Sequence, residues 1–371
     1  MTDEPLLLTP GPLSTSTKTK NAMLRDWGSR DTKFIALTQE ITRKLENIAG
    51  VDDNSPQYDC VLIQGSGTFA IEATIDTLIP ADANTLVLIN GAYGRRMAKI
   101  CKIHKRAYVV LETEENAAPS RIQVSKILKE DESITHVLAV HCETTSGILN
   151  PIFEISQAVR SAGRQLIIDA MSSFGALDLN ISKLKCTAIV ASSNKCLEGV
   201  PGVGFAIIDR TVLVNSENNA TSLSLDLFDQ WQNFNKTGQW RFTPPTHVLA
   251  ALGQALNEHE TDGGVEGRRK RYQDNCEALI KGMTALGFKP YLRNNLQAPI
   301  IVTFLQPEIA RFQFLKFYNR LLSLGFMIYP GKLTKVDTFR VGCIGQIKKA
   351  DINNLVGAVS SVLLEMGLKL K

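Results

Sequence analysis

The chain has 371 residues, of which 44% are hydrophobic and 21% charged, and its formal net charge is +4. This composition supports a large buried core and excludes disorder for the chain as a whole, while the small charge does not indicate nucleic-acid binding. No apolar run approaches the roughly 18 residues of a membrane-spanning helix, and the acidic residues 1–5 do not resemble a signal peptide. We therefore expect a cytoplasmic protein of two or three folding units, without a membrane or nucleic-acid partner.

Seven cysteines lie at wide spacings along the chain, without a C-x-x-C pair. An odd number at such spacings is typical of free thiols in a reducing compartment, and it indicates neither a disulfide framework nor a metal site. The residues are Cys60, Cys101, Cys142, Cys186, Cys196, Cys276 and Cys343.

Seven short apolar runs, rich in β-branched residues, predict strands that are buried on both faces. Helical spacing separates them; after the first run, Ile71, Ile75, Leu78 and Ile79 form one apolar stripe. This alternation predicts a mostly parallel sheet with helices on both faces. The last two runs are only about ten residues apart, so we expect one antiparallel strand at the edge of the sheet. The runs are residues 60–64, 86–90, 107–111, 135–141, 165–170, 187–191 and 203–208.

A polar stretch at residues 215–221 predicts a loop, and the glycine-rich residues 261–269 form a second break, after which the pattern changes. Beyond them the sequence predicts a smaller unit of mixed strands and helices. Its strands are expected near residues 298–305, 326–329 and 338–343, and its helices near residues 309–324 and 352–366. We accordingly assign residues 16–260 to a large domain, and residues 1–15 together with 261–371 to a small domain.

The first segment with a chemical signature is Gly65-Ser66-Gly67-Thr68, which follows a predicted strand and opens a predicted helix. Small residues let the backbone approach an anion, and a helix N-terminus offers free N–H groups, so the segment suits a phosphate. A plain glycine turn with a Ser or Thr cap explains the pattern equally well. The segment also matches the dinucleotide pattern G-x-G-x-x-A, but that site needs an acid at the end of the second strand, where an Asn-Gly pair stands instead.

Asp169 and Lys195 are the next candidates. Asp169 ends a predicted buried strand, where open α/β sheets bind ligands, and a buried carboxylate needs a positive partner. Lys195 follows the next strand in a loop of small residues, which suits a desolvated Schiff-base nucleophile. Taken alone, each has a structural alternative: a loop cap for Asp169 and a surface lysine for Lys195. With the phosphate cradle they meet the needs of pyridoxal phosphate, because an acid keeps its ring nitrogen protonated and a lysine holds its aldehyde.

Four segments carry a resemblance to a known family: residues 8–12 (LTPGP), 26–31 (DWGSRD), 141–147 (HCETTSG) and 241–247 (RFTPPTH). Through them the chain resembles, over nearly its whole length, the class V, fold-type I aminotransferases that depend on pyridoxal 5′-phosphate. The spacing agrees with related alanine–glyoxylate aminotransferases, since 25 residues separate Thr144 from Asp169 and 26 separate Asp169 from Lys195. The resemblance implies an α/β fold, with a mostly parallel seven-stranded sheet in the large domain and a smaller α+β C-terminal domain.

The resemblance also implies roles for the matching residues. Lys195 would bind the cofactor aldehyde and then shuttle a proton as general base and acid, and Asp169 would pair with the ring nitrogen. Arg340 would bind a substrate carboxylate through two hydrogen bonds; the alternative interpretation is an ordinary strand arginine. The other implied cofactor contacts are Ser66, Gly67, Thr68 and Asn194 at the phosphate, Tyr93 stacked on the ring, Thr144 at the ring hydroxyl, and Thr243 at the phosphate of the neighbouring subunit. A homodimer with shared active sites follows from the last contact.

Within the family, the sequence is most similar to members that transfer the amino group of 2-aminoethylphosphonate to pyruvate, which yields phosphonoacetaldehyde and alanine in phosphonate degradation. An alanine–glyoxylate or serine–pyruvate aminotransferase would use the same cofactor residues and is the first alternative. A class V desulfurase or lyase would need a cysteine within residues 326–337, where the sequence has none. A cofactor-binding protein without catalysis is disfavoured because both Lys195 and Asp169 are present.

Overall fold

The computed structural model of the chain describes residues 4–51, 57–333 and 335–370. Its strands are β1 Leu6–Leu7, β2 Tyr58–Gly65, β3 Asn84–Ile89, β4 Ala107–Glu112, β5 Ile134–Val140, β6 Cys142–Glu143, β7 Ile148–Leu149, β8 Gln165–Asp169, β9 Ala188–Ser192, β10 Gly202–Asp209, β11 Ile301–Leu305, β12 Phe326–Met327, β13 Tyr329–Pro330 and β14 Thr338–Gly342. Its helices are α1 Thr17–Asn21, α2 Thr32–Ala49, α3 Gly67–Leu78, α4 Ala92–Ile103, α5 Arg121–Glu130, α6 Ile152–Ser161, α7 Ile181–Leu184, α8 Arg210–Val214, α9 Leu227–Thr237, α10 Thr246–Thr261, α11 Gly264–Ala285, α12 Phe314–Ser323 and α13 Lys349–Glu365. Among the described residues, no helix combines the length and the apolar character that crossing a membrane requires.

The main sheet has seven strands in the order β2-β10-β9-β8-β5-β3-β4, and each predicted run forms one of them. The strands run parallel except for β10, which is antiparallel to both of its neighbours, β2 and β9. The prediction of a mostly parallel seven-stranded sheet is confirmed, but the expected place of the antiparallel strand is wrong. The antiparallel strand β10 is second from the edge of the sheet, because β2 pairs with it along its whole length, from Gly202↔Gly65 to Asp209↔Tyr58, and forms the edge.

Alternate side chains of the central strands enter cores on opposite faces of the sheet, which explains their continuous apolar runs. In β2, Cys60 and Leu62 join the core that includes residues of α2 and α10, whereas Val61 and Ile63 join the core that includes residues of α3 and α4. The edge strand β4 differs from the expectation of two-sided burial, because four of its six residues are exposed, whereas the other edge strand, β2, is buried along most of its length.

The C-terminal part has its own core around a three-stranded sheet in the order β11-β14-β13, with contributions from α11, α12 and α13. The centre of this core is aromatic: Phe288, Phe304, Phe317 and Phe339 have ring centroids 5.4–6.4 Å apart. At the other end of the chain, β1 pairs in parallel with β12, so the first described residues pack beside this part. The domain boundaries given above stay a prediction.

The break expected at the glycine-rich stretch is present, because α10 ends at Thr261 and α11 begins at Gly264. A Cβ on Gly267 would lie 1.7 Å from the carbonyl oxygen of Asp262, so this glycine permits close approach of the backbone at the helix junction. The helix expected from residue 309 begins only at Phe314, because Phe312 reaches the ring of Phe288, 6.3 Å away, from an irregular segment.

The carboxyl ends of the parallel strands meet at one edge of the main sheet, which is where open α/β sheets bind ligands. At this edge β2 leads into α3, β3 leads into α4, and β8 and β9 end at Asp169 and Ser192. The segments with a chemical signature are therefore brought together by the topology of the sheet.

Candidate active site

A cavity of about 180 Å³ lies at this edge of the sheet. Seven of the site residues predicted from the sequence line it, although they come from four separate stretches of the chain: Ser66, Gly67, Thr68, Tyr93, Asp169, Asn194 and Lys195. Arg96, Met97 and Met171 line the same cavity and were not singled out by the sequence. The cavity thus unites the phosphate cradle, the acid and the lysine in one place.

The phosphate cradle is the N-terminus of α3. Ser66 precedes the helix, and its hydroxyl makes no capping bond to the backbone, so it can donate to a ligand. The first N–H groups of a helix have no acceptor within the helix, and the helix dipole favours an anion there. A Cβ on Gly67 would lie 2.4 Å from Met171 Sδ, so any larger residue here would require the Met171 side chain to move. Arg96 Nη1 donates to Thr68 Oγ1 at 2.9 Å and adds a positive charge beside the cradle.

Lys195 lies in the turn after β9, and its Nζ donates to the carbonyl oxygen of Pro10 at 2.5 Å. The adjacent Gly11, at φ +122°, passes so close that a Cβ there would lie 2.7 Å from Lys195 Cδ. Burial is the main cause that lowers the pKa of Lys195 to about 8; the charge of Arg340 acts in the same direction and that of Asp169 opposes it. The amine is therefore partly neutral near pH 7, which is the form that attacks an aldehyde.

Asp169 is the last residue of β8 and is 5% exposed. Its Oδ1 accepts a hydrogen bond from the backbone N–H of Met171 at 3.0 Å, and within the described part of the chain the carboxylate forms no ion pair. Burial raises the pKa of Asp169 to about 6, against the influence of the Arg96 and Lys195 charges. A carboxylate in this position gains stability from a cationic group placed in the cavity.

Glu143 is a fully buried carboxylate beside the cavity that sequence reasoning did not propose as a functional residue. It accepts hydrogen bonds from the backbone N–H groups of Tyr93 at 3.0 Å, Gly94 at 3.3 Å and Thr145 at 3.1 Å. Two of these donors belong to the first turn of α4, so Glu143 holds the helix end that carries Tyr93. Its place in the quoted HCETTSG segment, as an acid directly after a buried strand, was the available signal.

Arg340 lies on β14 and is 2% exposed, yet it has no carboxylate partner among the described residues. Its Nη1 donates to the carbonyl oxygen of Thr144 at 2.9 Å, and its Nε donates to that of Pro330 at 3.1 Å. Burial lowers the pKa of Arg340. A buried guanidinium held only by carbonyl oxygens is prepared for an anion.

Thr144 and Thr243 are the two predicted cofactor contacts that do not line the cavity. Thr144 is fully buried beside Arg340, and its hydroxyl has no hydrogen-bond partner among the residues that the structure describes. Thr243 is exposed in the segment before α10. Its predicted contact with a neighbouring subunit stays a prediction.

Arg96 is the other residue that sequence reasoning missed. It follows Tyr93 by three positions on α4, so both side chains lie on one helix face, and its guanidinium carbon is 4.8 Å from the centroid of the Tyr93 ring. The i, i+3 spacing was the signal that could have found it.

The groups left without a partner fit the polar groups of pyridoxal phosphate. The free N–H groups of α3 suit its phosphate, the unpaired carboxylate of Asp169 suits its ring nitrogen, and the orphaned hydroxyl of Thr144 suits its ring hydroxyl. The amine of Lys195, with its lowered pKa, suits its aldehyde. The chemistry of the donor set therefore agrees with this cofactor.

Comparison with known proteins adds independent findings. The family model described as aminotransferase class-V matches residues 14–320. The chain is 52% identical, over 366 residues, to a 2-aminoethylphosphonate–pyruvate transaminase of Pseudomonas putida, with 99% of each chain covered. It is 50% identical, over 362 residues, to a protein of the same name from Pseudomonas aeruginosa, with 98% of this chain and 97% of the relative covered.

Two solved structures share the fold at lower sequence identity. Pyridoxamine–pyruvate aminotransferase from Mesorhizobium loti is 23% identical with a TM-score of 0.90, and covers 99% of this chain and 94% of its own. Alanine–glyoxylate aminotransferase from Nostoc sp. is 22% identical with a TM-score of 0.90, and covers 97% of this chain and 95% of its own. These likenesses establish the aminotransferase fold expected from the sequence.

Proposed function

Because the chain belongs to the class V aminotransferases, we propose that it transfers the amino group of 2-aminoethylphosphonate to pyruvate, with pyridoxal 5′-phosphate as its cofactor. The products are phosphonoacetaldehyde and alanine. The observation that carries the proposal is one cavity that holds the low-pKa amine of Lys195 and the unpaired carboxylate of Asp169, with Arg340, which has no carboxylate partner among the described residues, near enough to Lys195 to lower its pKa. The relatives that match nearly the full length support the choice of substrates.

Ser66, Gly67 and Thr68 would hold the phosphate of the cofactor, and Asp169 would keep its ring nitrogen protonated. When bound, the cofactor supplies an electron-withdrawing ring that stabilises negative charge on the substrate carbon. Lys195 takes the proton from that carbon and returns it, because an amine with a pKa near 8 is both a base and an acid at cellular pH. The carbonyl oxygen of Pro10 holds Nζ in place for both transfers.

Arg340 binds the substrate anion. Its Nη1 and Nε are occupied by the carbonyl oxygens of Thr144 and Pro330, which fix the plane of the guanidinium. Nη2 makes no hydrogen bond within the described residues and can donate to a carboxylate or phosphonate oxygen. Tyr93 would contact the ring of the cofactor, and Glu143 holds the first turn of α4 that carries Tyr93.

We extend the proposal to a homodimer with shared active sites, in which Thr243 reaches the cofactor phosphate of the partner. Thr243 is exposed and does not line the cavity of its own subunit, which supports this arrangement. The seven cysteines are all buried and unpaired, which supports a reducing compartment, and we propose the cytoplasm.

The test is half-reaction spectroscopy of the purified enzyme loaded with pyridoxal phosphate. We expect 2-aminoethylphosphonate and alanine each to bleach the cofactor absorbance, because each donates its amino group, and serine to do so far more slowly. Lys195→Ala is the control and should lose nearly all turnover with every donor. An unchanged spectrum with 2-aminoethylphosphonate, together with bleaching by serine, would show that the substrate assignment is wrong.

A further inference from the structure

Three cationic side chains surround the aromatic residues at the rim of the site. Lys332, in the loop between β13 and β14, places Nζ 4.7 Å from the centroid of the Tyr93 ring. The guanidinium of Arg96 lies 4.8 Å from the same centroid. The guanidinium carbon of Arg340 lies 5.0 Å from the ring centroid of Tyr329, which is in β13, the strand before the loop that carries Lys332. Neither the sequence motifs nor the mechanism above uses Lys332.

The position of Lys332 is coupled to that of Arg340. Arg340 Nε donates to the carbonyl oxygen of Pro330, two residues before Lys332, and Tyr329 pairs with Arg340 in the sheet. The backbone that carries Lys332 is thus fixed on the arginine that binds the substrate anion. Lys332 turns toward Tyr93 and not outward like its neighbour Lys335, whose Nζ pairs with the carboxylate of Glu114 at 2.7 Å.

The three cations lack a counterion. Within the residues that the structure describes, none of Arg96, Lys332 and Arg340 forms an ion pair with a carboxylate. Burial lowers the pKa of Lys332, and the charges of Arg96 and Arg340 lower it further, with a smaller opposing influence from Glu143. Like charges held together at a partly desolvated site cost free energy, and an anion bound among them removes that cost.

The number and shape of these cations indicate the charge of the anion that the site fits. A carboxylate carries one negative charge and two oxygens in a plane, which a single guanidinium satisfies by a bidentate contact. A phosphonate resembles a phosphate group, with three oxygens and close to two negative charges near neutral pH. A planar guanidinium together with a compact ammonium fits the third oxygen and the second charge.

We propose that Lys332, together with Arg340, forms the phosphonate-binding site and gives the enzyme its preference for phosphonate over carboxylate donors. This inference rests on the proposed function, because it assigns the selectivity of the same site. In the carboxylate half-reaction Arg340 binds the substrate alone, and in the phosphonate half-reaction Lys332 adds the second positive contact.

The test uses a matched pair of unreactive ligands, ethylphosphonate and propionate, which are the two amine donors without their amino groups. Their affinities for the loaded enzyme are measured by titration calorimetry in the wild type, Lys332→Met, Lys332→Arg and Lys335→Met. Lys335→Met removes the same charge from the same loop at the outward-facing position. The KM values of the half-reactions with 2-aminoethylphosphonate and alanine are measured alongside.

We expect Lys332→Met to weaken ethylphosphonate binding about tenfold or more, as for loss of a hydrogen bond to a charged group, and propionate binding less than threefold. Lys332→Arg keeps most of the preference, and Lys335→Met matches the wild type. Equal weakening of both ligands, no change in either, or loss of cofactor affinity in Lys332→Met would each overturn the inference. A wild-type enzyme that does not react with 2-aminoethylphosphonate would instead overturn the proposed function, so the two failures are distinguishable.

Discussion

The reactivity of the Lys195 amine in the cofactor-free protein gives the sharpest test of the site, because only the neutral amine reacts with an acylating reagent. With a pKa of about 8, roughly 9% of the amine is neutral at pH 7. With the ordinary value of 10.5, about 0.03% would be neutral, so the lowered pKa, of which burial is the main cause, increases the reactive form about 300-fold. This ratio is the contribution that the fold makes to the nucleophile before any cofactor binds.

The assay is competitive labelling with trace acetic anhydride over a pH series, followed by mass spectrometry of the peptides. We expect labelling of Lys195 to reach half of its maximum near pH 8 and to level off about two pH units higher. Lys335 serves as the reference in the same sample, because its hydrogen bond and ion pair with Glu114 raise its pKa. Restricted access slows labelling of Lys195 at every pH but leaves the midpoint unchanged.

Two substitutions perturb this midpoint in opposite directions. Arg340→Met removes a positive charge that disfavours the ammonium form, so the midpoint should rise. Asp169→Asn removes a negative charge that favours the ammonium form, so the midpoint should fall. A wild-type midpoint near that of Lys335, or shifts of the same sign in both variants, would refute the reasoning.

Three further predictions concern the shell of the site. Gly11→Ala should cost about 1–3 kcal/mol of unfolding free energy and weaken cofactor binding, because the φ of Gly11 is +122° and a Cβ there would clash with Lys195. Denaturant unfolding measures the stability and cofactor titration measures the affinity. An unchanged cofactor affinity would contradict the proposed clash with Lys195. Glu143→Ala should lower the unfolding free energy by about 2–4 kcal/mol in chemical denaturation, because it leaves buried N–H donors without an acceptor. Glu143→Gln should cost less, because its amide keeps an acceptor oxygen. Equal losses in the two variants would argue against this role of Glu143 as an acceptor. Because the pKa of Asp169 is raised to about 6, the stability that its carboxyl group contributes is present below pH 4 and is lost as the pH rises through 6. Asp169→Asn should therefore raise the Tm of the cofactor-free protein relative to the wild type at pH 8 and not at pH 4. Scanning calorimetry at both pH values tests this prediction.

Much of the large sheet was predictable because its information is local. A strand buried on both faces is a continuous apolar run, and all seven runs were recognised within a residue or two of their observed bounds. The place of β10 was not predictable in the same way. Strand order depends on which distant edge pairs with β10, and its partner β2 lies more than a hundred residues earlier in the chain.

The glycine-rich stretch and the aromatic segment of the C-terminal part also show that neighbouring residues alone do not decide where a helix begins. Gly267 resembles a helix breaker when only its neighbours in sequence are considered, yet it serves a close backbone approach inside a helical region. Phe312 fits a helical period, yet it packs on Phe288 from outside the helix. In both cases a tertiary contact overrides the local preference of the chain.

The sequence by itself determined the strands of the sheet, the family, and seven of the residues that line the cavity, because strand burial and the turns that follow strands are encoded by neighbouring residues. Arg340 was expected at the site from the family resemblance, but only the tertiary structure decided that Pro10, Glu143 and Lys332 also lie there. These residues are far apart in the chain, and their meeting depends on how the segments pack. The pKa of Lys195 follows from that packing, since burial and charges from distant segments set it.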